Sequence, residues 1–565
     1  MLRSNAMRIG RQTVSLPLSA KLTDEDVGDV IEKEEKLMIK NKPGKLPLDT
    51  SSFRRLREEG YIYIDKTRWL YRMIEEGTAY FFARPRRFGK SLTVSTLHEL
   101  FKGNRELFNG LWIYDKWEFE KYPVVVFDFN RIDGSSPQSL RNDLKQIVLD
   151  YYKFCDLDVD LEGSLPLAFA KLLIRLSEKY NQKTTILIDE YDKPIIDHLG
   201  LGKERLNTAE ENRDTLRNFF GVLKDQEVVN VVKFTFVTGV SRFAKVSIFS
   251  EWNNLIDITM NREYADFLGY TEEEIEKYFD AYLKIFCGKK GFDRKLCMEM
   301  IRYWYNGYRF SIESDKKVYS PISLMYCLKE GEFKNYWFKT ATPTLLVNLL
   351  RQKNYYIPKL EDIKITENLL DAFDIKNIRI EPLLFQSGYL TIKAMEDNII
   401  FLAYPNQEVK KSFSEILMQY LFETTPDTFY LAGKLGKALE QEDFEGIRIY
   451  IDSIFSSIPY PLYGEKDKPN EAYFHTIIYL SLSLIGYNAK SELLTSRGRL
   501  DMTVEFKNKV YIIEFKCNQS ADKGIKQIKE KGYVDNWRGR GKKIILCGIN
   551  FDTEKRGIRE ISFGL

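Results

Sequence analysis

Along the chain, short unbroken apolar runs alternate with stretches in which apolar positions return every three or four residues. The runs are Ala79–Ala83, Val124–Phe129, Thr184–Ile188 and Val231–Val237, and each predicts a buried strand. Between them the helical period predicts helices at Thr67–Glu76 (with Asp65 as its N-cap), from Leu92 through Leu100, at Leu140–Tyr152 and around Asn212–Lys224. Strands and helices alternating at this spacing make a parallel sheet covered by helices on both faces. Thr271-Glu-Glu-Glu274 reads as a capping box that opens an amphipathic helix to about Phe286, the start of a helical lid.

The pattern then changes. Residues 287–460 read as mainly helical and aromatic-rich, with a tight turn at Asn306-Gly307, and the aromatics there read as packing residues. A Pro-, Gly- and charge-rich link at Ile458–Asn470 precedes a helix at Glu471–Ile485 with a strongly apolar face. Two strands follow, Met502–Phe506 and Val510–Cys517, joined at Lys507-Asn508. A basic helix at Asp522–Gly532 and a core strand at Ile544–Ile549 complete the pattern. The expected division is a polar arm (1–45), a nucleotide-binding α/β domain with the start of its lid (46–286), a helical linker domain (287–460) and a C-terminal α/β domain (461–565).

Two places carry chemistry. The first strand runs into Arg84-Pro85-Arg86-Arg87-Phe88-Gly89-Lys90-Ser91-Leu92 and then into a helix, the layout of a phosphate cradle. Backbone N–H groups would hold phosphate oxygens, Lys90 would reach the β- and γ-phosphates, and Ser91 would ligate Mg2+. The strict pattern G-x-x-x-x-G-K-S places glycine where this chain has Arg84. About a hundred residues on, the strand at Leu187 ends in Asp189 and Glu190. Asp189 is the candidate acid behind the magnesium and Glu190 the candidate that polarises the attacking water. A further strand ends in Thr238-Gly239-Val240-Ser241-Arg242, which offers Thr238 and Arg242 as sensors of the γ-phosphate; Arg242 reads also as an arginine finger or simply as a salt-bridge partner.

The second place is the C-terminal hairpin. If Lys507 and Asn508 form a two-residue turn, Phe506 opposes Lys509 and Asp501 opposes Glu514. Alternation then puts Lys516 on the same face. Opposed carboxylates need a cation between them, Mg2+ or Mn2+, and a lysine beside it can orient the attacking water. Glu471 is an outer carboxylate candidate.

Composition narrows the chemistry. Net charge is +3, from 85 basic against 82 acidic residues, so a nucleic-acid footprint must be local. The basic residues Lys523, Lys526, Lys529 and Lys531, with Arg538, Arg540, Lys542 and Lys543, suit a phosphate backbone and suit a solvated face equally. Six cysteines without a C-x-x-C pair and three histidines argue against zinc and against a Cys/His catalytic pair. No run approaches a membrane span and Met1–Ala20 lacks a signal peptide's apolar core, so a cytoplasmic protein without a membrane partner is expected.

Arg84-Pro-Arg-Arg-Phe-Gly-Lys90, Asp65-Lys66-Thr67, Leu187-Ile-Asp-Glu-Tyr-Asp192 and Trp304-Tyr-Asn-Gly-Tyr-Arg309 together resemble the bacterial AAA-ATPase-like family with a C-terminal PD-(D/E)xK nuclease-superfamily domain. Gly498-Arg-Leu-Asp501, Ile513-Glu-Phe-Lys516 and Gln527-Ile-Lys-Glu-Lys-Gly-Tyr533 resemble its second module. The resemblance implies a P-loop NTPase sheet, a helical middle domain and a restriction-endonuclease-like C-terminal domain. It makes Arg84 the family's own pattern and gives Lys90, Ser91, Asp189 and Glu190 the usual P-loop roles. It also gives Asp501, Glu514 and Lys516 metal and catalytic positions, with Glu471 and Gln527 auxiliary. The expected activity is ATP hydrolysis coupled to metal-dependent cleavage of nucleic acid, DNA ahead of RNA, with homo-oligomerisation left open. The alternative is a nucleotide-switched sensing protein whose nuclease-like domain binds without cleaving.

Overall fold

In the computed structural model the apolar runs become a five-stranded, wholly parallel sheet. Its strands are β1 (Ala79–Ala83), β2 (Val124–Asp128), β3 (Thr184–Asp189), β4 (Val232–Gly239) and the short β5 (Ile256–Asp257), in the order β2-β3-β4-β1-β5. Strands β1 and β3 are buried at every position, which is why the sequence shows no alternation there. The structure describes residues 43–458 and 471–564, apart from 243–247, 250–251, 253, 338–343, 372–374, 376, 487 and 496–497. Most of the expected polar arm, residues 1–42, and nearly all of the expected link, 459–470, lie outside the described residues. The described residues from Leu46 onward form one compact unit.

The helix Thr67–Glu76 falls where the periodicity puts it, but Asp65 is not its N-cap: that position is Lys66. Asp65 still accepts from the amide and hydroxyl of Thr67 at 2.9 and 2.6 Å. The Thr271 capping box is present in full. Its helix stops at Tyr278, and a second helix, Asp280–Lys290, carries on in a new direction after Phe279 leaves helical geometry.

The middle region is mainly helical, as the period predicts, but it also holds a small antiparallel sheet. This is built from β6 (Ile363–Thr366), β7 (Thr391–Glu396) and β8 (Ile399–Ala403), in the order β6-β8-β7. These strands are four to six residues long, too brief for period two to stand out.

The C-terminal sheet runs β13-β12-β11-β10-β9, with β9 at Asn488–Thr495, β10 at Gly498–Glu505, β11 at Lys509–Cys517, β12 at Lys543–Asp552 and β13 at Gly557–Gly564. Only β11 and β12 run parallel. The helix Ala521–Glu530 makes the crossover between them, on one face of the sheet. The helix Glu471–Leu484 packs against β9 and β11 and also against the helix Gln407–Phe422 of the middle region. Every residue from Phe474 to Leu484 in it is buried.

Candidate functional sites

The phosphate loop forms where β1 ends. Arg87 and Gly89 take left-handed backbone (φ 69° and 102°), which turns the chain so that Lys90 opens the helix Lys90–Phe101. Glycine supplies that conformation at no steric cost at 89. The Lys90 ammonium is buried; it donates to the Pro85 carbonyl at 3.3 Å and pairs with Glu190 at 3.3 Å. Glu190 itself sits at φ 53°, an uncommon conformation for its residue type at the carboxyl end of β3.

Asp189 lies beside it, buried, and among the described residues its Oδ1 has no partner. Burial pushes its carboxyl up to about 6; Ser91 opposes the shift and the Glu190 charge adds to it. Arg86, Arg87, Phe88, Gly89, Lys90, Ser91, Leu92 and Glu190 line one cleft of about 690 Å³. That is a fitting size for a nucleotide-sized ligand. Leu48, Ile62, Leu70, Ile322 and Met325 line the same cleft, so apolar surface for a base is supplied by the segment before the loop and by the middle region.

Four predicted contacts go elsewhere. The Arg84 guanidinium is turned away from the cleft and buried between the Phe82 and Phe310 rings, 4.2 and 4.3 Å from their centroids. It donates to the carbonyls of Ala83, Thr259 and Tyr264 at 3.0, 2.6 and 3.2 Å, and burial lowers its pKa to about 9. Arg84 is a brace rather than a phosphate ligand. Thr238 is fully buried and its hydroxyl donates to the Phe82 carbonyl of the neighbouring strand at 2.7 Å. Arg242 pairs with Asp257 at 3.1 Å and its amide donates to Gln386 at 2.9 Å, which is its salt-bridge reading. Pro85 contributes its carbonyl to Lys90, not its ring to the cleft.

Asp192 has a role the sequence did not single out. Its buried carboxylate accepts from the amides of Val240 and Ser241 at 3.1 and 2.7 Å and from the Ser241 hydroxyl at 2.6 Å. Gly239 makes this possible: a Cβ there would meet Asp192 Oδ1 at 2.5 Å and the Tyr191 ring at 2.6 Å.

At the second centre the hairpin has the register that a two-residue turn at Lys507-Asn508 dictates. Phe506 donates to Lys509, and Met502 pairs with Ile513, so Asp501 stands across from Glu514. Asp501 accepts from the Phe515 amide at 2.8 Å. Lys516 reaches Glu514 at 3.3 Å and donates to the Phe515 carbonyl at 2.7 Å, and Gln527 donates to the same Glu514 oxygen, Oε1. The other oxygen, Oε2, is buried and has no partner among the described residues. Burial, reinforced by Asp501, raises the Glu514 carboxyl to about 8. Glu471 opens the helix Glu471–Leu484, exposed, near enough for its charge to raise the Cys517 thiol.

Among the described residues no three Asp, Glu, His or Cys side chains gather into a ready-made metal cage. Two facing carboxylates, one with an orphaned oxygen, still fit a hard cation that takes its remaining ligands from water and substrate. Behind the sheet, His475 is held by Tyr356 at 2.5 Å and Ser491 at 2.9 Å, and burial lowers its pKa to about 3, so it is neutral.

Comparison with known proteins agrees with this layout. Residues 47–249 match the model of a predicted AAA-ATPase family, and residues 469–561 match a PD-(D/E)XK nuclease superfamily model. An uncharacterized protein in the vnfD 5' region of Azotobacter chroococcum mcd 1 is 37% identical over 524 residues, 91% of this chain and 98% of that protein. Among solved structures, the ORC2 protein of Aeropyrum pernix (ADPNP–ADP complexes) aligns with a TM-score of 0.27 at 11% identity, over 65% of this chain and 98% of that one. Cdc6p of Pyrobaculum aerophilum aligns with 0.22 at 10%, over 72% and 96%. The chain belongs to the family of AAA-ATPase-like proteins that carry a C-terminal PD-(D/E)XK nuclease-superfamily domain.

Proposed function

We propose that the protein binds and hydrolyses ATP at the first centre and uses it to govern a metal-dependent nuclease at the second, acting on DNA ahead of RNA. One observation supports both halves. Each centre holds a buried carboxylate raised by burial with one oxygen unpartnered, Asp189 Oδ1 and Glu514 Oε2, and a divalent cation satisfies such an oxygen.

At the first centre Asp189 and Ser91 would hold Mg2+. Lys90 exchanges its contacts with Pro85 and Glu190 for phosphate oxygens, and Glu190, released, orients the attacking water. At the second, Asp501 and Glu514 would hold Mg2+ or Mn2+, Gln527 fixes Glu514, and Lys516 orients water and offsets charge on the phosphate. When bound, the cation supplies positive charge to the phosphate oxygens and lowers the pKa of water.

The test is incubation of the purified protein with circular DNA and with RNA, in Mg2+ or Mn2+, with and without ATP, beside Asp501→Ala. Cleavage that is lost in the variant and responds to ATP is expected. ATPase activity without cleavage of either polymer would replace this reading by a nucleotide-switched binding protein. Independently, Lys90→Ala should keep the melting temperature and weaken ATP binding by at least about tenfold. Undiminished affinity in that folded variant overturns the first assignment.

A further inference from the structure

A second cleft, of about 770 Å³, lies where the middle region meets β9, and neither centre uses it. Lys317, Lys393, Lys410 and Lys490 line it, with Arg302, against only two acids, Glu361 and Asp362. Arg302 is matched by Glu272 and Lys410 by Glu361. Lys393 donates to the Pro405 carbonyl at 3.2 Å. Five cationic side chains against two acids leave the cleft lining with an excess of positive charge, which favours an anion.

The floor points the same way. The sixteen-residue helix Gln407–Phe422 begins here, with Asn406 as its N-cap, so the positive end of its dipole faces the cleft lining. Gln407 is 8% exposed, and among the described residues neither its Nε2 nor Asn406 Nδ2, both buried, has an acceptor. The Tyr-Asn-Gly-Tyr turn forms a wall: Gly307 (φ 113°) lies so close to the Pro405 carbonyl that a Cβ would come within 2.2 Å. At the other side Ser491 lines the cleft, and its hydroxyl reaches the Asp501 carbonyl at 3.5 Å.

We propose that this cleft is an additional anion site that takes a phosphate-bearing ligand, either a segment of nucleic-acid backbone or a free phosphate compound, at the amino end of the helix Gln407–Phe422. The strand source would deepen the nuclease reading; the free source stands without it.

The test uses the full chain carrying Lys90→Ala, in EDTA, so that neither ATP binding nor cleavage contributes. Inorganic pyrophosphate is titrated calorimetrically, and a labelled single-stranded oligonucleotide is followed by fluorescence anisotropy. Pyrophosphate should bind, and the double variant Lys393→Glu/Lys490→Glu, altered at exposed positions, should weaken it by about tenfold or more. Gln407→Met, which keeps the volume and removes the donor, should weaken it several-fold with an unchanged melting temperature. Oligonucleotide binding that pyrophosphate displaces and that the double variant weakens assigns the site to a strand. Pyrophosphate binding alone assigns it to a free phosphate compound. Affinities for both probes that the double variant leaves unchanged, or no binding of either, overturn the proposal.

Discussion

Arg84 braces the carboxyl end of β1. It stands where the strict phosphate-loop pattern has glycine, yet its guanidinium points backwards, between two aromatic rings and onto three carbonyls. Arg84→Gly, which restores the strict pattern, should therefore cost about 3 kcal/mol of stability by leaving those buried carbonyls unpaired and a void between the rings. Thermal or denaturant unfolding checks this, and a variant as stable as the parent would refute the brace. Lys90, Ser91, Asp189 and Glu190 were legible because a strand end and a helix start place them from local sequence alone. Asp501, Glu514 and Lys516 were legible because a two-residue turn fixes every opposing pair in a hairpin. The contacts of Arg84 and Thr238 were not, because their partners Thr259 and Phe82 come from other segments that no local period reveals; for Arg242 the salt bridge was among the readings, but not its partner Asp257.

At the scale of elements, the phosphate loop is tied to the middle region by one aromatic side chain. Phe88 is 2% exposed and meets Tyr308 and Phe310 edge-on, with centroids 4.9 and 5.4 Å away. Phe88→Ala should cost about 3–5 kcal/mol if the cavity stays open, and should weaken ATP binding although the phenyl ring carries no charge. Unfolding curves and nucleotide titration measure the two effects separately.

The helix Gln407–Phe422 carries a pH-sensitive anchor. Glu408 is fully buried, accepts from the amides of Tyr336 and Trp337 at 2.7 and 3.0 Å, and has its carboxyl raised by burial from 4.5 to about 7. The folded state thus binds this proton more tightly than the unfolded state. Its contribution is complete below the unfolded value and is lost as pH rises from 4.5 to about 7, by up to about 3 kcal/mol. Glu408→Gln cannot ionise, so its melting temperature should gain on the parent's across that interval. Parallel pH profiles would refute the assignment. Nothing in the local pattern marks this acid as buried, since it occupies an ordinary second position in a helix.

For the whole molecule, the decisive element is the helix Glu471–Leu484, buried on every side from Phe474 onward because it lies between the C-terminal sheet and the helix Gln407–Phe422. Such a helix cannot face water. A fragment beginning at Glu471 should accordingly aggregate on gel filtration, whereas one beginning ahead of β6 should elute as a folded species. A monodisperse short fragment would show that the sheet alone suffices. Lys509 and Tyr511 add to the seam by donating to the carbonyls of Glu440 and Leu439, both at 2.7 Å. A module with no free side to its central helix is a poor traveller between genes. Descent must keep it with its neighbour, and a change on one side of that helix invites an answering change on the other.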